Sequence, residues 1–413
     1  VGATPSGVVT THGGGRWWAW AASRIAPAAG NRGSGAPVAA DRVSGAPETR
    51  QGGVGAAAPP VTVHNQQSGP ANHVVQVGQL FGGVHIHEGA APVPDDSAWL
   101  RSCWEVAGDA PFEVRYVNRP ERPGLDCFLI TRADSVDQDD ARRRVADSRA
   151  RLGRVPGHVG AEPVVDEAHA RWVLEPFRPH GAGLVEVRKR LTARRSSRDD
   201  ARDPWLTAVT PLARSPRSWE PLWAELARLP FEAVLSVGLL GYRVGPGLRS
   251  HLAARAAEFG RLAREGPSRT GVWHAPRPPD EFAVAALPLV SEAVRRYTDR
   301  AYLARVTLAA TRPIPPLLAE LVADTLSSRD PGVGFAGPAV LRPGAADAAI
   351  AWHNATSLGF APLSAYDQGN PPEAIGAVER VLGGIVDLDE AAAVCRLPYR
   401  VSSGSPLFVD HSS

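Results

Sequence analysis

The chain has 413 residues, 44% hydrophobic and 21% charged, with 41 Gly and 38 Pro. These values lie near globular averages with an excess of turn formers, which excludes a wholly disordered chain, a collagen and a coiled coil. Its 45 basic and 43 acidic side chains leave a formal charge of +2, too weak a field to select nucleic acid or an anionic membrane, so partner choice has to be local.

The first sixty residues hold twelve Gly and six Pro, show no helical or strand period, and close on an Ala-rich run before Pro59 and Pro60. Such a stretch cannot bury enough apolar surface to offset the entropy of ordering, so residues 1–60 are expected to be a disordered leader that includes Trp17, Trp18 and Trp20. No secretory signal pattern opens the chain. The longest strongly apolar stretch, Phe231 to Val244, is broken by Glu232, Gly238 and Gly241 and is too short to cross a bilayer. Cys103, Cys127 and Cys395 are odd in number and lack a C-x-x-C pairing, which predicts reduced thiols in a cytoplasmic protein rather than a disulfide frame.

Residues 61–89 differ in texture. The run VTVHNQQSGPANHVVQVGQLFGGVHIH falls in a window with no Lys or Arg between Arg50 and Arg101 and no acid between Glu48 and Glu88. Alternation at Val61 and Val63, Val75 and Val77, and Val84 and Ile86, each bounded by Gly or Asn, predicts three short strands separated by turns. Residues 90–98, with Pro92, Pro94 and the Asp95-Asp96 pair, read as a linker.

The body alternates strand and helix patterns. Phe112 to Val117 and Leu125 to Thr131 predict neighbouring strands joined by a turn-rich RPERPG. Asp137 to Leu152 predicts an exposed helix, with Val145 and Leu152 facing inward and acids at its start. Val159 to Val165 and Glu167 to Phe177 read as strand and helix. Leu206 to Leu212 reads as a strand, and Ser218 reads as the N-cap of a helix with Trp219, Leu222, Trp223 and Leu226 on one face. Val234 to Leu240 is the most core-like strand. Pro246 opens a helix, another ends near Tyr297, and a strand covers Tyr302 to Ala310. Pro315 leads into a helix, and Glu373 to Val386 reads as helical. The expected fold class is α/β or α+β, with helices packed on mixed sheets in two subdomains, residues 99–203 and 204–401, and a tail at residues 402–413.

Chemical motifs are scarce. Lys189, the single lysine, sits in EVRKRLT without a Gly-rich phosphate cradle, and neither H-E-x-x-H nor G-x-S-x-G occurs, so P-loop, zincin and hydrolase-elbow readings fail. His85 and His87 share a strand face and could bind metal with His64 and His73, but polar strand positions explain them better; neither a metal nor another cofactor is expected. The basic run from Arg188 to Arg202 is diluted by Asp199 and Asp200 and lacks interleaved aromatics, so it reads as a solvated connector rather than a nucleic-acid surface. Asp166, Glu167, Asp387, Asp389 and Glu390 read as helix caps and wet helix faces. No catalytic residue is assigned, although an enzyme on an unrecognised α/β scaffold stays open because catalytic groups assemble in space.

The uncharged segment carries the strongest signal. β-Branched strands with Asn and Gln can stack in register, pairing backbone groups between chains while amides form ladders. A hairpin docked on the body's sheet edge and an epitope for strand addition are the alternatives. Residues 64–87 resemble the N-x-x-S-G…V-V-Q-x-G…G-x-V-H-x-H motif of actinobacterial immune and conflict-system proteins. Val75-Gln76-Val77-Gly78 resembles the core of the RIP homotypic interaction motif, a signalling-amyloid motif. Asn65, Ser68, Gly69, Val74, Val75, Gln76, Gly78, Gly83, Val84, His85 and His87 carry the match, while Pro70 and Phe81 depart from it. Ile86 completes the last strand, and Gly82 joins Gly78 and Gly83 in allowing the turns.

The resemblance implies recruitment of a second protein bearing a like motif, typically joining a nucleotide-binding receptor to an effector. DEAAAVCRLPYRV, with Ala392, Arg396, Leu397 and Pro398, is similar to the Phe-Arg-Leu-Pro stretch that joins the non-catalytic N-terminal domain to the motor in type IV secretion ATPases and their HerA-like relatives. That likeness implies an assembly domain whose motor is encoded separately. The expected function is a non-enzymatic adaptor or regulatory protein. Its expected partner is a protein with a like motif, a neighbouring NTPase among the candidates, and homo-oligomers form through the same segment. Neither a membrane nor a nucleic acid is an expected partner.

Overall fold

The computed structural model describes residues 7–28, 93–107, 110–267, 276–329, 332, 334–401 and 407–409. They belong to one unit, and residues 30–90 form a second that lies outside the described residues.

In chain order the strands and helices begin with β1 (Val8–Gly13), β2 (Arg16–Pro27), α1 (Ser97–Ala107), β3 (Phe112–Asn118), β4 (Leu125–Ser135), α2 (Gln138–Leu152) and β5 (Val159–Pro163). Next come α3 (Glu167–Leu174), β6 (Leu184–Arg188), β7 (Arg190–Arg195), β8 (Trp205–Thr210), α4 (Glu220–Ala227), β9 (Ala233–Arg243) and α5 (Pro246–Leu262). The last are α6 (Glu281–Arg296), β10 (Arg300–Ala310), α7 (Pro316–Leu326), β11 (Ala339–Leu341), α8 (Ala345–Ser357), α9 (Ala377–Gly384), β12 (Ile385–Val386) and α10 (Leu388–Val394).

The fold class is α+β. A 10-stranded sheet runs β1-β2-β4-β3-β9-β10-β6-β11, with β5 on β2 and β12 on β10, and β7 and β8 form a separate two-stranded ribbon. All these strand pairs are antiparallel. Four of the described helices start at a carboxylate cap, whereas the cap expected from Ser218 is not made: α4 has Trp219 at its N-cap and no side-chain cap. Asp137, Asp166, Asp280 and Asp387 each accept a backbone N–H three residues on, and Pro246 opens α5.

The two sheet faces differ. One is apolar: Phe112, Val114, Tyr116, Leu235, Val237 and Leu308 pack beneath Leu100 of α1, Trp223 of α4, Val322 of α7 and Val394 of α10. Burying each such side chain contributes about 1.5–3 kcal/mol. On the other face α3 covers Phe128, Ile130 and Val234, and α8 covers Leu184 and Ala309. Between these patches runs a polar stripe. The ribbon packs Leu206 and Ala208 under α5 and α6.

Residues 8–27 are not part of a disordered leader. Gly14 and Gly15, at φ 58° and 76°, join β1 to β2 with Gly13 opposite Arg16. Positive φ at both central residues is the type I′ hairpin geometry, which glycine adopts without strain. The strand escapes pattern reading because both its faces are buried: Ala19 and Ala21 pack with α2, and Trp20 and Ala22 with α3, so a continuous Trp-Ala run replaces alternation.

The expected division between residues 203 and 204 is not a break in the sheet, because β3 pairs with β9 along its whole length. The solvated connector is corrected as well: Arg188, Lys189 and Arg198 are buried, and residues 190–195 are β7. In the expected tail, Phe408 bridges to Leu125 and is buried against Trp223, with ring centroids 5.0 Å apart. The expected helix over Glu373 to Val386 resolves into a 3₁₀ turn, α9 and β12.

The outer edge of β7 is closed by side chains. The Leu191 and Ala193 N–H groups donate to Gln368 Oε1 and Asn370 Oδ1, each at 2.9 Å, while the same amides donate to the carbonyls of Lys189 and Leu191 at 2.7 and 3.1 Å. Two amide side chains thus imitate a neighbouring strand, which blunts an edge otherwise open to pairing. Asn370→Ala should cost about 1–2 kcal/mol and speed hydrogen exchange at Ala193 at least ten-fold, while exchange in β9 stays unchanged.

Candidate functional site

All fourteen residues of the expected interaction motif, Asn65, Ser68, Gly69, Val74 to Gly78, and Gly82 to His87, lie outside the described residues. The structure does place the stems that hold their segment. The outgoing stem ends at Ala28, whose N–H donates to His158 O at 2.8 Å and whose carbonyl accepts from Arg400 Nε at 3.1 Å. The returning stem is fixed by Arg396, whose Nη2 donates to Pro94 O at 2.5 Å and whose Nη1 lies 3.4 Å from Asp96 Oδ2. His158 joins the two stems, with its Nε2 3.4 Å from Asp96 Oδ1. Ala28 and Pro94, the described residues that flank 29–92 in sequence, are therefore both tied to the body beside His158. Arg396 and Leu397, which carry the likeness to the translocation ATPases, are fully buried. There the Leu397 N–H donates to Asp96 Oδ2 at 3.3 Å. Burial raises the Asp96 pKa and lowers that of His158.

A second assembly surrounds Lys189, at the bend between β6 and β7. Its Nζ donates to Tyr297 Oη at 2.6 Å and to Glu390 Oε2 at 2.9 Å. Glu390 Oε1 accepts the Leu212 N–H at 2.9 Å, and Oε2 also accepts the Asp387 N–H at 3.0 Å and the Tyr297 hydroxyl at 3.1 Å. Arg296 closes the group by pairing with both Asp387 and Glu390. Burial works to raise the Glu390 pKa, but Lys189 and Arg296 outweigh it and hold the carboxyl down at about 2. Asp387 and Glu390 form the capping box of α10, so the cap expected from sequence is present, yet Glu390 is buried and not on a wet helix face.

Beside this hub lies a cavity of about 60 Å³, lined by Lys189, β8, α5, α6, Tyr297 and α9. Arg255 and Glu379 pair across its wall. Its volume admits roughly four to six water-sized groups at about 10–15 Å³ each.

A third ionic assembly fills the stripe on the sheet. Glu113 accepts from Arg115 Nε at 2.7 Å and from Arg305 Nη2 at 2.6 Å. Arg115 also donates to the C-terminal carbonyls of α3, at Val173 and at Leu174 (2.9 Å), and to Ala355 O of α8 at 2.7 Å. Arg305 Nε donates to Gly359 O at 3.2 Å. These buried guanidinium groups cap helix ends whose carbonyls lack intrahelical partners. Burial works to raise the Glu113 pKa, and the two arginines more than offset it, leaving it lowered. Gly238 belongs to the same design, because a Cβ there would stand 3.1 Å from Arg305 Nη2.

Cys103, Cys127 and Cys395 are all buried in one apolar cluster, and burial raises the pKa of each, so their thiolates are disfavoured. Among the described residues, no group of His, Cys, Asp or Glu is arranged to hold a metal ion, and no helix is long and apolar enough to cross a membrane. Sequence reading missed the Lys189 hub and the Glu113 stripe; the alternation of charged with apolar residues in FEVRYV and LVEVRK is the signal they left. Comparison with protein-family models finds none that matches this chain, and comparison with curated proteins finds no match.

Proposed function

We propose that the chain is a non-enzymatic adaptor or regulatory protein of a bacterial conflict or signalling system, recruiting its partner by β-stacking of residues 61–89. The observation that carries this is the uncharged, Gly-bounded run around Val75-Gln76-Val77-Gly78, with its likeness to signalling-amyloid motifs. Backbone groups of that run pair with a like motif on a second protein, a neighbouring NTPase among the candidates, or on another copy of this chain. The setting is cytoplasmic, in keeping with three free cysteines.

In support of this reading, the body holds Ala28 and Pro94, the described residues flanking the segment, at one anchor.

Sedimentation velocity tests the proposal. Wild-type protein should form oligomers that grow with concentration, and Gln76→Pro, which removes a ladder donor, should weaken this association at least ten-fold while leaving the unfolding midpoint unchanged. Equal association by both proteins, with and without motif peptides from adjacent genes, would discard recruitment by stacking.

A further inference from the structure

The Lys189 cavity has chemistry that the recruitment reading does not use. An ammonium has three N–H donors, and the hydrogen bonds of Lys189 Nζ to Tyr297 and Glu390 engage two of them. The same side chain lines a cavity whose walls are largely apolar, with Val209, Leu252, Val290 and Leu382 among them. Glu292, which also lines it, keeps 32% of its side chain exposed.

We propose that this cavity is a binding site for a small aldehyde or ketone with an apolar body, held by Lys189 as a protonated Schiff base. Nζ passes one proton to Glu390, and its lone pair attacks the carbonyl carbon. A second proton moves from nitrogen to the former carbonyl oxygen. Glu390 then returns its proton to that hydroxyl, which leaves as water as the nitrogen lone pair closes the C=N bond. The sum is ammonium plus carbonyl giving iminium plus water. Lys189 and Glu390 are both neutral while the proton rests on the carboxyl and form an ion pair again once the iminium appears, so the net charge of the site never changes. The iminium keeps one N–H for Glu390, and the Tyr297 hydroxyl stays with the same carboxylate at 3.1 Å. Burial also pulls the Lys189 pKa below its ordinary value, which eases the first proton loss. The cavity volume restricts the ligand to about four to six non-hydrogen atoms.

The test is clean because Lys189 is the only lysine in the sequence. Full-length native protein is treated at neutral pH with propanal or benzaldehyde plus cyanoborohydride, and peptide mapping separates Lys189 from the α-amino group, which serves as internal standard. Relative to that standard, propanal should label Lys189 at least ten-fold faster than benzaldehyde does, and Ala293→Phe, which fills the cavity, should reduce propanal labelling at least ten-fold. Should that variant fail to fold, the size comparison on wild-type protein decides. Lys189 labelled only after unfolding in urea, or labelled equally by both aldehydes, would overturn the site.

Discussion

Glu390→Gln is expected to lower stability by about 3–5 kcal/mol, because it leaves Lys189 and Arg296 buried without their shared counter-charge. Both cations are well buried, with side-chain exposures of 2% and 6%, so water cannot replace the lost carboxylate. Urea unfolding followed by circular dichroism should show the midpoint falling with an unchanged slope. The same group sets an acid limit. Its folded pKa of about 2 lies below the ordinary 4.5, so its contribution is complete above about pH 4.5 and is lost as pH falls toward 2. That shift corresponds to about 3 kcal/mol. Wild-type stability should therefore drop in this window, and Glu390→Gln should flatten the drop; parallel pH profiles for the two proteins would remove Glu390 from the explanation.

Glu113→Ala should cost a similar amount, about 3–5 kcal/mol, for the same physical reason at a different place. Arg115 and Arg305 are 1% and 0% exposed and share Glu113 as counter-ion, while their remaining donors cap α3 and the end of α8. Without the carboxylate, the two guanidinium groups repel each other beneath helices that depend on them. Hydrogen exchange in α8 should accelerate more than in α4, which packs on the opposite, apolar face. Uniform acceleration across both helices would mean that the stripe adds only global stability and does not align the helical layer.

The contrast between these sites and the rest of the fold shows what sequence exposes. The antiparallel pair β3 and β4, the core strand β9 and the Asp137-capped α2 follow from apolar runs, turn residues and a local carboxylate. Each signal spans a few positions. β1 and β2 lacked one because both faces of β2 are covered, and a glycine-rich turn resembles a flexible start. Buried charges mislead in the other direction: Lys189 and its neighbours look solvated until Glu390, 201 residues away, supplies the partner. The three cysteines behave likewise, distant along the chain and together in one core cluster.

X-ray fibre diffraction from assemblies of the full-length protein, seeded with a peptide of residues 61–87, would test recruitment through strand stacking most directly. A meridional reflection near 4.7–4.8 Å, present for wild type and absent for Gln76→Pro, is the predicted result. Assemblies without that reflection, or ones that form equally well with the proline, would contradict it.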